Sequence, residues 1–582
     1  MADNKNLILA FLLSLVILLG FDLLYVKPKR EAEAERLAAQ QTEQVDDAVN
    51  ATDAALPKPS LSEGSVPTVA AAAQTVDRAE VLAQSPRIAI DSDRLKGSIS
   101  LVGGRIDDLI LSDYRETLDK DAAPVTLLSP AGAPDTYYAD FGWAAAGHGL
   151  ELPGRDTRWT TSDTVLRSGG KVTLTWTNSA GVTFVREIAL DDAYMFSVTQ
   201  RVENNSSVTV NVAPYALISR HGHPKTQGTY ILHEGPIGVF GEVLNEMSYK
   251  DIEEDGRMEQ SAIGGWLGIT DKYWLTALVP DQNQPYKGAF SFAGAGGVKR
   301  YQVDYIMDTR SVAPGAATEV TSRLFAGAKV VSLLDRYEKT YGISRFDRGV
   351  DWGWFYWITK PIFYTLHYFH GLFGNFGLAI LALTVILKLL FFPLANKSYV
   401  AMSKMKLLQP KMLAIKERYG DDRLRMQQEM MELYKKEKVN PMAGCLPILL
   451  QIPVFFALYK VLYVTLEMRH APFYGWVKDL SAPDPLTFVN LFGLIPWDPP
   501  QVIAIGIWPV LMGLTMFLQM KMNPTPPDPV QAKVMMFMPL IFTFVLAPFP
   551  VGLVIYWTWN NLLSILQQWV IMRRMEAAPA AT

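Results

Sequence analysis

From residue 374 onward the chain is dominated by five apolar runs, at 374–395, 442–465, 503–522, 533–549 and 551–572. Each is close to the ~20 residues an α-helix needs to cross a bilayer core. No other feature limits the fold so strongly, because a backbone in lipid must satisfy its own hydrogen bonds. A sixth run, LILAFLLSLVILLGFDLLYV at 7–26, lies near the N-terminus. It exceeds the core of a usual signal peptide, and KPKR follows it where a small-residue cleavage site would stand, so it reads as an uncleaved anchor. A hydrophobic content of 49% and 14 Trp in 582 residues fit a membrane protein that carries a soluble part.

The remainder divides by composition. Residues 1–26 form the anchor, and 27–85, rich in Ala, Glu, Gln and Pro, read as a disordered tether. Between 86 and 345 short alternating segments such as KVTLTWTN, TFVREIAL and KRYQVDYIM recur between Gly, Asn and Asp breaks. Period-two alternation predicts an antiparallel β-sandwich, with the helical spacing of VSLLDRYEKTYG placing a helix at its C-terminal end. The aromatic stretch 346–373, with Trp352, Trp354, Tyr356 and Trp357, suits an amphipathic segment at a membrane interface. The connecting segments are 396–441, 466–502, 523–532 and the tail 573–582. The fold class expected is a polytopic α-helical membrane protein with six transmembrane helices, five forming a core, a large periplasmic β-sandwich and a cytosolic helical hairpin.

Charge sets the orientation. The segment 396–441 holds eleven Lys/Arg against six Asp/Glu, in a chain of net charge −4, which places it in the cytosol. Counting spans from there puts the β domain on the outer side of the membrane and both termini in the cytosol. Lys27, Lys29 and Arg30 beside the first span oppose this, but a long domain translocates largely regardless of flanking charge. Gly420 is a helix stop and Asp421 or Asp422 a cap for the second arm of the hairpin. A single cysteine, Cys445, rules out a disulfide within the chain, and neither GxxxxGK[ST] nor a GxGxxG after a strand occurs.

Within the first of the five runs, ILALTVILKLLFFPLANK, stands Lys388. An ammonium at the centre of a spanning helix costs roughly 2.5–3.5 kcal/mol. Snorkelling toward the cytosolic headgroups is one answer. The other is a wet hollow shared with the polar residues of the neighbouring runs: Gln451, Gln519, Trp557, Asn560 and Asn561. None of the five runs contains Asp or Glu, so Lys388 has no intramembrane counter-charge and a proton relay is disfavoured. Asn and Gln in spans also serve as interhelical glue. Pro447, Pro453, Pro509 and Pro539 remove helix donors and loosen the packing. Thirteen of the 22 methionines lie on or beside the cytosolic face, suiting a surface that meets many apolar sequences.

The segments FFPLANKSYVAMSKMKLLQPKM, YKKEKVNPMAGCLPILLQIPVFFALY and FPVGLVIYWTWNNLLSILQQW resemble the YidC-type membrane protein insertases, kin of the mitochondrial oxidase-assembly and chloroplast Albino insertases. The resemblance covers about residues 345–575, and the anchor plus outer β domain matches the Gram-negative form. It implies an insertase and chaperone for newly made inner-membrane proteins, acting alone or with the Sec translocon, without an energy-consuming step. It implies a hydrophilic groove with a positive residue at Lys388, where many members carry arginine, and with Gln451, Gln519 and Trp557 at or near groove positions. Pro453, Phe455 and Phe542 would lie along the helices on which client spans slide into lipid. Implied partners are nascent membrane proteins, ribosome–nascent chain complexes, the Sec translocon and its accessory subunits, the signal recognition particle pathway and the bilayer. No specific nucleic acid, cofactor, metal or catalytic residue is implied.

Two other readings compete. A transporter or channel accounts for polar intramembrane residues but not for the missing carboxylates or the Met-rich cytosolic segment. An enzyme in the β domain would use Arg220, His221, His223, His233 and Glu234, for which loop histidines without a role are the simpler account.

Overall fold

The computed structural model describes residues 76–119, 121–145, 150–222, 226, 231–295, 298–419, 422–437, 439, 446–495, 497, 504–523 and 529–577. The expected anchor, most of the tether, His223, Gly420, Asp421 and Cys445 lie outside them. The chain divides into two compact units, Met1–Gly349 and Val350–Thr582.

In the first unit, alternation becomes sheet. Val182–Leu190 pairs antiparallel with Met195–Asn204, from Val182 opposite Asn204 to Leu190 opposite Phe196. Val182, Phe184, Ile188 and Leu190 on its inner face are buried. Among the described residues one sheet has eleven strands and the other eight. They face each other across a shared core: the Phe240 and Phe290 rings, one from each sheet, lie 5.8 Å apart. The Tyr137 hydroxyl reaches across to the Ile269 carbonyl at 3.4 Å. One inward position is a surprise of the period-two pattern. Arg186 points into the core, donating to the Gly104 carbonyl at 2.6 Å and to that of Phe141, with its guanidinium 4.8 Å from the Trp159 ring centroid.

Helix α1 (Arg78–Ala83) lies inside the stretch expected to be a structureless tether. Asp77 caps it by accepting from the Ala79 N–H at 2.7 Å, and Arg78 pairs with Asp108 on a strand. Low average hydrophobicity hides this, because a cap and an ion pair need no apolar run. Helix α2 (Tyr249–Asp255) carries a capping box from Ser248 and Asp251. Helix α3 (Val331–Tyr341) buries Val331, Leu333, Leu334 and Tyr337 and stops at Gly342, whose φ of +64° is the left-handed conformation glycine adopts freely.

The second unit is helical: α4 (Tyr356–Phe373), α5 (Phe376–Leu390), α6 (Phe392–Tyr419), α7 (Arg423–Lys436), α8 (Leu446–Val464), α9 (Ile507–Met522), α10 (Pro529–Leu546) and α11 (Val551–Ala577). Asn375 caps α5 by accepting from the Leu378 N–H at 3.1 Å, and Asp422 does the same for α7 from Arg425 at 3.0 Å. Helices α6 and α7 pack through Leu408, Met412 and Val439, with Met405, Met430, Leu433 and Tyr434 around them. Lys411 and Glu437 tie the same pair at 2.7 Å.

Helix lengths depart from the expected spans. Among the described residues no single helix is long and apolar enough to cross a membrane. Helices α5 and α6 meet that test only together, across a 68° bend, and the apolar segments Gln451–Val464, Ile507–Met522 and Ala532–Leu546 are shorter. The bend falls at Phe391, beside Pro393, whose missing N–H and ring favour a break there.

Candidate functional site

Helix α11 organises the polar residues of the helical unit. Tyr556, Asn560, Ser564 and Gln568 recur every four residues and therefore share one stripe. Three neighbouring helices present polar groups to this helix. Lys388, in the last turn of α5, donates to the Ser564 hydroxyl oxygen at 2.6 Å, and Ser564 donates to the Asn560 carbonyl at 2.8 Å. Gln451 of α8 donates through Nε2 to the Tyr556 hydroxyl. Gln568 donates to the Met522 carbonyl at 3.3 Å and to Asn523 Oδ1 at 3.1 Å, at the end of α9.

The residues singled out from the sequence thus fall into separate clusters. Lys388 is half-buried, and its bonded partner is a neutral hydroxyl rather than a carboxylate. Gln451 and Tyr556 lie two turns away, about 12 Å along α11. Trp557 sits between Phe455 of α8, at 4.7 Å edge-on, and Phe542 of α10, at 6.0 Å, so the aromatic residues of three helices meet there. Pro453 stands half-buried in the middle of α8, on the turn before Phe455. Asn561 is only 3% exposed and donates to Thr515 of α9 at 3.2 Å, which makes it a tie between α9 and α11. Asn560 and Gln519 are half-buried, and their side chains form no hydrogen bond with a described residue.

Sequence reasoning missed Ser564 and Tyr556, which carry the bonds to Lys388 and Gln451. The four-residue spacing along α11 was the signal available. It also passed over Lys460, in the run 442–465. That ammonium forms a 2.7 Å ion pair with Asp351, and the side chains are only 12% and 15% exposed. Gly353, at φ +68°, lets this happen: a Cβ there would lie 2.6 Å from Lys460 Cε.

In the β unit the described members of the suggested acid–base set have partners. Arg220 donates to Asp271 at 2.6 Å and to the Tyr249 hydroxyl at 3.2 Å. His221 bonds Ser219 Oγ at 3.2 Å, and burial pushes its imidazole down to about 4, so it is neutral at ordinary pH. His233 lies 3.0 Å from the Pro236 carbonyl, and Glu234 accepts from the Lys272 N–H at 3.2 Å. Among the described residues no group of three or more His, Cys, Asp or Glu is placed to hold a metal ion.

Comparison with known proteins adds an independent line. Two family descriptions match: "YidC periplasmic domain" over residues 87–365 and "60Kd inner membrane protein" over residues 368–578. A membrane protein insertase YidC of Methylobacterium radiotolerans is 51% identical over 592 residues, covering 98% of this chain and 95% of that relative. One from Rhizobium meliloti is 50% identical over 579 residues, with coverage of 99% and 96%. A crystal structure of an active YidC insertase with its first transmembrane domain resolved aligns at 17% identity with a TM-score of 0.34, covering 83% of this chain and 92% of that one. The weight rests on the full-length sequence matches.

Proposed function

Because the chain belongs to the YidC family of membrane protein insertases, inner-membrane proteins with a periplasmic domain, we propose that it inserts its clients through a hydrated, positively charged recess beside α11. The observation that carries this reading is the Lys388 ammonium, bonded to the neutral Ser564 hydroxyl, with no Asp or Glu in any of the five apolar runs. A cation without a counter-charge in hydrocarbon is stable only where water reaches it. The half-buried Gln451, Gln519 and Asn560 supply further polar lining.

In this reading the chain spans six times, with the N-terminal run as the first span and α5, α8, α9, α10 and α11 as the core. Helices α6 and α7 form a cytosolic hairpin that meets the nascent chain, both termini are cytosolic, and the β unit is periplasmic. The recess takes up the short polar segment that must cross, and water within it removes much of the desolvation cost of that segment. The apolar span then partitions into lipid past Pro453, Phe455 and Phe542, each buried methylene contributing about 0.8 kcal/mol. Acidic tails gain about 2.3 kcal/mol per charge per 100 mV of membrane potential. The family is not an enzyme family, and no covalent step is needed. Ribosome–nascent chain complexes, the signal recognition particle pathway and the Sec translocon are the partners this reading calls for.

The test is growth and client insertion in cells depleted of the native protein. Lys388→Arg supports both, whereas Lys388→Ala and Lys388→Glu weaken insertion of clients with acidic tails. Equal activity of all three variants refutes the charged recess. So does a cysteine at 388 or 451 that a water-soluble thiol reagent never reaches.

A further inference from the structure

A slot of about 580 Å³ opens between α9 and α10 and is lined by apolar side chains, including Leu514, Met536, Leu540 and Phe544. These four are 50–57% exposed, far more than core residues. Its floor is the close approach of the helices at Gly513, where an added Cβ would lie 2.1 Å from Thr543 Oγ1. Phe488, Val489 and Ile505 line its end at the start of α9, and Phe517 lies toward the other. From Ile507, the first residue of α9, to Phe517 is about 15 Å at helical rise.

The Phe517 end is positively charged. The Lys521 ammonium stands 4.8 Å from the Phe517 ring centroid. Lys533, exposed on α10, precedes Met536 and Phe537 by three and four residues and so shares their face. Asp528 is the one carboxylate in the sequence between these two lysines, and no other Asp or Glu occurs among residues 504–574.

We propose that this slot holds one acyl chain of an anionic glycerophospholipid whose phosphate sits between Lys521 and Lys533. The apolar lining matches an acyl chain, and the two ammonium groups select a negative headgroup. The site does not involve Lys388, so it stands or falls separately from the recess.

The experiment uses the full chain, delipidated in detergent and titrated with phosphatidylglycerol or phosphatidylcholine while native mass spectrometry counts bound lipids. The parent binds one phosphatidylglycerol about 10- to 30-fold more tightly than phosphatidylcholine, as expected for two lysines near the headgroup. Lys521→Ala/Lys533→Ala removes the preference, Lys521→Arg/Lys533→Arg keeps it, and Leu540→Trp weakens both lipids by filling the slot. Circular dichroism checks that each variant folds, and Leu514→Phe serves in place of Leu540→Trp if that variant does not. Equal affinity of the parent for the two lipids overturns the proposal, as does a preference that survives the double alanine variant. A photo-crosslinker at 540 that captures a client span or a second copy in native membranes, rather than lipid, also overturns it.

Discussion

Lys388 and Lys460 show how the same residue type takes opposite solutions within one helical unit. Lys460 has a carboxylate 2.7 Å away in Asp351, while Lys388 has a serine hydroxyl at 2.6 Å. A buried pair cancels its charge, whereas a cation on a hydroxyl keeps it and remains able to attract an incoming acidic segment. In the β unit, the buried Asp304 and the half-buried His221 pull stability in opposite directions. Burial raises the Asp304 carboxyl to about 6 from 3.8, so the folded chain holds a proton there that the unfolded chain has released. Its contribution is therefore unfavourable above pH 6 and is relieved as pH falls toward 4. The His221 imidazole is pushed down to about 4 from 6.5, so the unfolded ring binds the proton first. Its contribution is present above pH 6.5 and is lost as pH falls toward 4. Asp304→Asn should accordingly stabilise the β unit at pH 7.5, by on the order of 2 kcal/mol, with the gain vanishing near pH 4. His221→Gln should differ from the parent in the other sense, gaining relative stability as the pH drops. Thermal unfolding at pH 4.5, 6 and 7.5 checks both, and slopes of the same sign for the two variants count against the assignment.

At the level of elements, α11 serves as the spine of the helical unit, and glycine sets how closely its neighbours approach one another. Gly513 of α9 faces Thr543 of α10, whose hydroxyl donates to the Pro539 carbonyl at 2.8 Å. Gly513→Ala should separate these helices and cost about 1–3 kcal/mol, the usual penalty for overpacking. Adding Thr543→Ala should recover most of it, because the atom that a Cβ meets is then gone. A detergent melt of the single and double variants decides this, and an unrecovered loss would place the strain elsewhere. The helices themselves were readable as apolar runs, and one end was readable at Asp422. The 68° break between α5 and α6 was not, because a proline within an apolar run allows a kink without setting its angle.

The whole molecule combines a β unit and a helical unit within one chain. In the proposed mechanism the recess belongs to the helical unit alone. Deleting residues 60–320 should therefore leave insertion of a short single-span client largely intact while abolishing whatever the β unit binds. Loss of insertion by a stably expressed, membrane-embedded deletion variant would assign the β unit a direct part. The sandwich was legible because alternating side chains report a half-buried sheet at every second residue. The buried Arg186 was not, since the alternation that marks an inward position says nothing about the two carbonyls waiting there.

Residue chemistry read in order is enough to recognise the apolar runs, the change of composition at the β unit, the basic segment 396–441, the cation at 388 and the family. All of these depend on local pattern, which the chain carries wherever it folds. Packing was needed to learn that Ser564 meets Lys388, that Tyr556 meets Gln451, that Asn561 ties α9 to α11, and that Lys460 is neutralised. Ser564 lies 176 residues from Lys388 in the chain, and nothing local to either residue encodes the encounter. A polar side chain advertises that it requires a partner, but which one it finds follows from how helices distant in sequence come to lie side by side.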